Sequence, residues 1–462
     1  MTQVTTRLGR VAFGVPEAPN PGVVHIGLGA FHRAHQAVYT QDAITAAGGD
    51  WGIVAVAPRS RTLVDILRAQ DNLFSVTSLG DAPFSTRVIG ALAGVAHLPS
   101  QPRAILDLLA DPAIRVVTLT VTEKAYHLDD DVRTDLRGER DPRTVLGLLV
   151  RGLQARADAG APPIAVVSCD NLPANGARLR RQVEQACGGF GDWVSFPATM
   201  VDRIVPAATA KTLAHAQNAL GMVDLAAVDA EPYRQWVIED DFPGGRPDWA
   251  AAGAVLTDDV TSWERLKLRV LNGVHSTLAY LGALAGHRTI AEALAMPGMA
   301  EFLTRLISDD IAPTLVPPPG VSLIDYGASV LERFANPAIE HRTLQVAMDG
   351  SQKLPQRLLH TIGERRAAGE MPTYAALAVA SWIRFTGGVA DNGQALPLDD
   401  PLADTIRTTA EGFVEPTRRV RALLALLEPE FADDAELIAE IAGWLSFLGA
   451  NGAASTVYGA AQ

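Results

Sequence analysis

The sequence predicts an α/β fold: an N-terminal Rossmann-like, doubly wound parallel sheet followed by a mainly α-helical C-terminal domain. Three observations carry this. Short β-branched runs alternate with helical segments through the first half. The first of these runs ends in Gly27-Leu28-Gly29 and opens directly into a helical segment. From Val260 onward, long helical patterns replace the strands. These patterns place a dinucleotide-binding domain over residues 1–257 and a helical substrate and catalytic domain over 258–462.

Val23-Val24-His25-Ile26 is the first strand, Phe31 to Ala47 a helix stopped by Gly48-Gly49, and Ile53 to Ala57 a buried strand. Further strands are expected at Val116 to Val121, Ile164 to Ser168 and Trp193 to Phe196. Thr62–Ala69 and Thr144–Ala157 are helical between them. In the second half, helices are expected at Trp263–Leu284, Thr289–Leu306, Ala328–Phe334, Gln352–Ala368, Tyr374–Phe385, Asp400–Glu411 and Glu415–Leu427. Pro313 to Gly320 forms a rigid loop among them. No internal repeat is visible.

Composition narrows the function. Of 462 residues, 48% are hydrophobic and 20% charged, which excludes global disorder. A net charge of −13 argues against a nucleic-acid binder, which needs a basic footprint. No apolar run approaches the roughly 18 residues of a membrane span, and Met1 to Pro21 has no apolar signal region. Two cysteines, Cys169 and Cys187, make neither a disulfide framework nor a zinc cluster. The expectation is a cytoplasmic enzyme acting on a small molecule. Only four of the 39 basic residues are lysine: Lys124, Lys211, Lys267 and Lys353. A chain that uses arginine almost everywhere draws attention to its lysines, because arginine does not deprotonate in proteins.

Gly27-x-Gly29 stands where a dinucleotide fingerprint requires it, between a strand and a helix. The first glycine makes the tight turn and the second lets backbone approach a pyrophosphate. The third glycine position is His32, however, and the acidic residue expected after the next strand is replaced by Pro58-Arg59-Ser60-Arg61. Arg59 and Arg61 suit a 2′-phosphate, which keeps NADP open beside NAD. A solvated turn is the plainer explanation of the same arginines.

Glu264 to His275 is the most informative stretch. On a helix at about 100° per residue, with Lys267 at zero, Glu264 lies near +60°, His275 near +80° and Asn272 near +140°. Leu271, Val274 and Leu278 fall within about 40° of Lys267, while Arg265, Arg269 and Ser276 take the opposite, wet face. Lys267 therefore sits in the apolar stripe. Burial there shifts a lysine toward general acid–base work, with Asn272 donating to an alkoxide, His275 orienting the substrate and Glu264 relaying a proton or forming an ion pair. A buried Lys–Glu pair with satisfied neighbours is the alternative. Asn171, after the strand Ile164–Val167, is placed to reach a substrate oxygen, and Asp202 is the polar candidate of a similar strand-end loop. An Asx-turn explains Asn171 equally well.

These residues resemble the long-chain polyol dehydrogenases of the mannitol dehydrogenase type. The matching stretches are His25–Gln36, Thr120–Lys124, Ser168–Gly176, Met200–Pro206, Glu231–Trp249, Lys267–Ser276 and Asp349–Leu359. The resemblance implies a zinc-independent hydride transfer between nicotinamide and a secondary alcohol. It makes Lys267 the general acid–base, Asn171 and Asn272 the groups that bracket the reacting oxygen, and His275 the group that orients it. It implies NAD at Gly27, Leu28, Gly29, Ala30, Phe31 and His32, with Arg59, Thr122 and Glu123 nearby, and a monomer or weak homo-oligomer. Thr122-Glu123-Lys124, Met200–Thr209 and Asp349–Arg357 are more similar to the fructuronate reductase (mannonate oxidoreductase) branch than to the mannitol 2-dehydrogenase branch. A hexuronate carboxylate needs a cation, for which Lys124, Arg333, His341 and Arg342 are candidates. Ala125 stands where the family usually has glycine. The site is expected in the cleft between the two halves, because Asn171 comes from one and Lys267 from the other. A dinucleotide-binding redox sensor would be favoured by a missing base, and Lys267 is present. A metal-dependent aldolase would need a ligand set, and His32-x-x-His35 is the only close histidine pair.

Overall fold

The main sheet explains the β-branched runs. In the computed structural model, which describes residues 6–80 and 82–462 and only the backbone at Glu123 and Lys124, six parallel strands form one sheet. They are β1 (Pro21–Ile26), β2 (Gly52–Ala57), β3 (Leu92–His97), β4 (Val116–Leu119), β5 (Ile164–Ser168) and β6 (Val194–Ser195). Their spatial order is β3-β2-β1-β4-β5-β6, the doubly wound order of dinucleotide-binding sheets. Alternate residues feed two cores. Val23, Ile53, Ala55, Val116, Ala165 and Val167 face one, and Val24, Ile26, Val56, Val117, Leu119 and Val166 face the other. Burial on both faces makes such strands continuously apolar.

Two three-stranded sheets complete this unit, which extends to Thr261. In one, Phe74–Ser78 lies between Val228–Ala230 and Ser85–Ile89; in the other, Gln235–Glu239 lies between Val255–Thr257 and Thr199–Asp202. The sequence reading does not include most of these strands, nor β3, whose Ala93-Gly94 weakens the β pattern. The helix expected over Phe31–Ala47 is two helices, Ala30–Ala34 and Gln36–Ala47, broken at His35 (φ −123°, ψ −86°). The strand expected at Trp193–Phe196 shortens to two residues because a 3₁₀ turn occupies Gly191–Trp193.

The second unit, from Ser262, is helical. Three of its helical runs contain π-helical stretches: Lys267–Asn272, Leu306–Ile311 and Pro355–Leu359. The expected helix Thr289–Leu306 is interrupted over 295–298: one helix ends at Leu294, and Gly298, with φ 82°, is the N-cap of the next. The last helix, Ala435–Ala460, is long and apolar enough to cross a membrane by length and composition, which corrects the expectation that no such segment exists. One face of it, including Leu437, Ile441, Leu445 and Leu448, is buried, and it packs on Thr373–Phe385 and Pro416–Leu427. Gly452 (φ 76°, ψ 167°) kinks it, and Asp391 Oδ2 accepts from the next N–H, Ala453, at 2.6 Å.

Candidate active site

In the first unit, the glycine turn sits at the carboxyl end of β1, beside β4, where the strand order reverses. Ligands bind such sheets at that point. Gly27 adopts φ 119°, and a Cβ there would stand 2.0 Å from the Thr120 carbonyl oxygen, so the turn and the loop after β4 meet backbone to backbone. Gly29 is exposed, and the nearest atom to an added Cβ is 3.8 Å away. Nothing crowds a phosphate at Gly29, whose own N–H donates to the Gly27 oxygen at 2.6 Å, so the turn has room for a dinucleotide. Leu28 is buried, while Ala30 and Phe31 are partly exposed.

Histidines support this turn from inside. His25 Nδ1 lies 2.8 Å from Thr118 Oγ1, and its Nε2 lies 2.9 Å from Thr120 Oγ1 and 3.1 Å from the Gly27 oxygen. Burial lowers its pKa to about 3. His32 is fully buried and stacks on His25 with ring centroids 3.4 Å apart; burial, then the charges of His25, Arg33 and His35, hold it neutral. His32 occupies the third glycine position of the fingerprint as a packing group behind the turn. Arg59 is exposed after β2, its carbonyl 3.1 Å from His97 Nε2. Thr122 is exposed after β4. The roles given to the Glu123 and Lys124 side chains lie outside the described residues.

Asn171 is exposed just beyond the carboxyl end of β5. Its loop is held by two residues that sequence reasoning did not assign. Asn175 donates from Nδ2 to the oxygens of Asp170 (3.1 Å) and Thr199 (2.9 Å), and its Oδ1 accepts from Thr199 N–H (3.0 Å). Asp170 accepts from Val121 N–H at 2.6 Å and from the Tyr126 hydroxyl, which ties the loops after β4 and β5 together. Burial raises the Asp170 carboxyl to about 6. Asp202 is buried at the end of its strand, paired in register with Gln235.

In the second unit, Lys267 opens a π-helical stretch and Asn272 closes it. Both are buried, at 7% and 6% exposure, as is His275 at 9%. A π turn pairs i with i+5, so Lys267 and Asn272 move toward one face instead of lying about 140° apart as on an α-helix. The wet face assigned to Arg269 and Ser276 is corrected: both are buried. The stretch lies within a helix surrounded by other helices, and Arg269 keeps its charge there by pairing with Glu364 (2.6 Å) and donating to the Thr314 oxygen (3.1 Å). Asn272 Nδ2 and His275 Nε2 are buried, and among the described residues no atom accepts from or donates to them. Buried polar atoms of this kind call for an explanation, and a substrate is one.

His275 stacks on Phe334 (centroids 4.6 Å apart) and meets His341 edge to face (4.7 Å). Burial, followed by the nearby His341, Arg357, Lys353 and Arg333, holds its pKa well below the usual value, so it is a neutral imidazole. The structure thus brings Arg333 and His341 to His275, while Arg342 is exposed. Glu264 lies one α-turn before Lys267, on Val260–Leu266. Lys353 and Arg357 join this group unassigned by the sequence reading. The lysine count marks Lys353; Arg357 is one arginine among many and carries no such signal.

A parallel sheet of this order with a glycine turn at its switch point defines a dinucleotide-binding oxidoreductase. The family models agree with both units: the mannitol dehydrogenase Rossmann domain matches residues 21–251 and the mannitol dehydrogenase C-terminal domain residues 259–448. The chain belongs to the mannitol dehydrogenase family. It is 40% identical to D-mannonate oxidoreductase of Escherichia coli K12 over 91% of each chain. It is 38% identical to mannitol 2-dehydrogenase of Cereibacter sphaeroides, over 86% of this chain and 88% of that one. Among solved structures it resembles Pseudomonas fluorescens mannitol 2-dehydrogenase in ternary complex with NAD and D-mannitol. The TM-score is 0.84 and the identity 35%, over 98% of this chain and 99% of that one.

Proposed function

We propose that this protein is an NAD-dependent oxidoreductase that interconverts a sugar acid and its keto form, D-mannonate and D-fructuronate. The observation that carries the substrate choice is the cationic setting of His275, on which Arg357, Lys353 and Arg333 bear. An anionic substrate suits that field better than a neutral polyol. The turn from Gly27 to Phe31 would hold NAD, which when bound would supply the hydride acceptor for oxidation and the hydride donor for reduction. The reading draws on both units. Lys267 Nζ takes the proton of the reacting hydroxyl during oxidation and gives it back during reduction. The amides of Asn171 and Asn272 donate to the same oxygen and stabilise alkoxide character. His275, neutral, orients the substrate hydroxyl through Nε2. Glu264 and Asp202 act as substrate-side polar groups.

The test is nicotinamide absorbance with purified protein, NADH, and either D-fructuronate or D-fructose, repeated with NADPH. Turnover with fructuronate is the expected result. Turnover with fructose alone would move the protein to the second reading, D-mannitol and D-fructose, which the mannitol 2-dehydrogenase relatives favour. A preference for NADPH would give Arg59 a 2′-phosphate to hold.

A further inference from the structure

Two of the π-helical stretches in the second unit pack against each other. A Cβ on Gly273 would stand 2.9 Å from the Arg357 carbonyl oxygen, so the Lys267–Asn272 and Pro355–Leu359 stretches touch where the first one ends. That approach brings the Arg357 guanidinium over the turn after Asn272. Its Nη1 donates to Ser276 Oγ at 2.9 Å, and Ser276 follows His275 directly.

The four groups around His275 differ in what already occupies them. Lys353 Nζ donates to the Met348 carbonyl at 2.6 Å and lies 3.7 Å from Asp349. His341 is held below the usual histidine range by burial and by Lys353, so it carries little charge. Arg333 has an interaction of its own. Arg357 has one hydroxyl acceptor and, among the described residues, no carboxylate within ion-pair distance. A guanidinium offers five N–H donors and does not lose its proton in proteins. It is half-buried, and burial lowers it from 12.5 to about 10 while Tyr280 and Asp349 act in the opposite direction. Asp349, whose charge reaches Arg357, also lies 3.7 Å from Lys353 Nζ, so one carboxylate serves two cations and a ligand carboxylate would balance the second.

We propose that Arg357 is the seat of the substrate carboxylate and the residue by which the site selects sugar acids over neutral polyols. A carboxylate matches the planar fork of a guanidinium, which holds it bidentately. Anchored there, beside Ser276, the acid end of a six-carbon chain is fixed close to His275. A neutral polyol leaves the guanidinium without its counter-ion. The inference rests on the sugar-acid reading above and adds the residue that produces it.

The experiment is a specificity ratio: kcat/KM for D-fructuronate divided by kcat/KM for D-fructose, in wild type, Arg357→Met and Arg357→Lys, each checked for wild-type melting. Arg357→Met is expected to lower the ratio about 100-fold, mainly through the KM for fructuronate, as loss of one partner of a desolvated ion pair does. Arg357→Lys keeps the charge without the fork and is expected to fall between the two. A ratio unchanged in Arg357→Met, with fructuronate still reduced, overturns the assignment of Arg357 and leaves the sugar-acid reading standing. Wild type that reduces fructose and not fructuronate overturns both.

Discussion

Lys267 and Asn272 stand at the two ends of one π-helical stretch, five residues apart and both buried. On an α-helix that spacing splays two side chains; on a π turn it gathers them. The local winding therefore gathers an amine and an amide from a single short segment, the pair proposed above as base and hydrogen-bond donor.

Lys267→Arg preserves the positive charge and cannot release a proton. It is expected to lower kcat by about 10³-fold, within the range of general acid–base contributions. Steady-state NADH consumption with the preferred substrate measures it. Full activity in this variant would remove Lys267 from the role of base.

Asn272→Leu keeps the volume and removes a donor that has no partner among the described residues. Because no native hydrogen bond of Nδ2 is lost, melting is expected to change little, while kcat falls about 10²-fold or more. A large loss of stability with normal kcat in the surviving fraction would make Asn272 a structural residue.

Gly27→Ala places a methyl group 2.0 Å from the Thr120 oxygen at a φ of 119°. The turn must open or the strand ends must part, at a cost of at least ~2 kcal/mol. Weaker NADH binding in a fluorescence titration and a lower urea midpoint are the expected results. Unchanged cofactor affinity would separate the turn from the binding site.

His25 has a definite pH signature. Its folded pKa is lowered to about 3, below the unfolded value of 6.5. Above pH 6.5 neither state is protonated and its contribution to stability is fully present. As pH falls from 6.5 toward 3, the unfolded chain takes up a proton that the folded one refuses, and that contribution is lost, ~2 kcal/mol of it by pH 5. Stability should therefore fall more steeply between pH 6.5 and 5 in wild type than in His25→Gln, and the labelled His25 ring carbon should not titrate in that interval. A ring that titrates near 6.5 would contradict its burial.

What the sequence made legible follows from burial. β1, β2, β4 and β5 read clearly because both faces of each are covered, which leaves β-branched runs. The glycine turn read clearly because Gly27 has a backbone reason to be glycine. Lys267 stood out as a rare lysine in an apolar stripe. The π stretches were illegible, because the i, i+3, i+4 pattern assumes α winding; Arg269 was given to a wet face because the pattern does not show that other helices cover that side too. Arg357 was illegible for another reason. Its distinction is the absence of an ion pair, a property of its surroundings and not of its spacing. Asp170 and Asn175 lay in a recognised segment, but their work is tying loops together, which only the folded contacts reveal.

The winding at Lys267–Asn272 also means that the alignment of this proposed catalytic pair is encoded in how many residues lie between two positions, as well as in which residues they are. A π turn contains one residue more than the α turn it replaces. Deleting Leu268 would let the helix relax to α with Lys267 and Asn272 four residues apart, about 40° from each other, so the pair would stay on one face. Adding one residue between them would keep both side chains yet set Lys267 and Asn272 about 120° apart on α winding, and a comparison of side-chain identities alone would pass such a chain as intact.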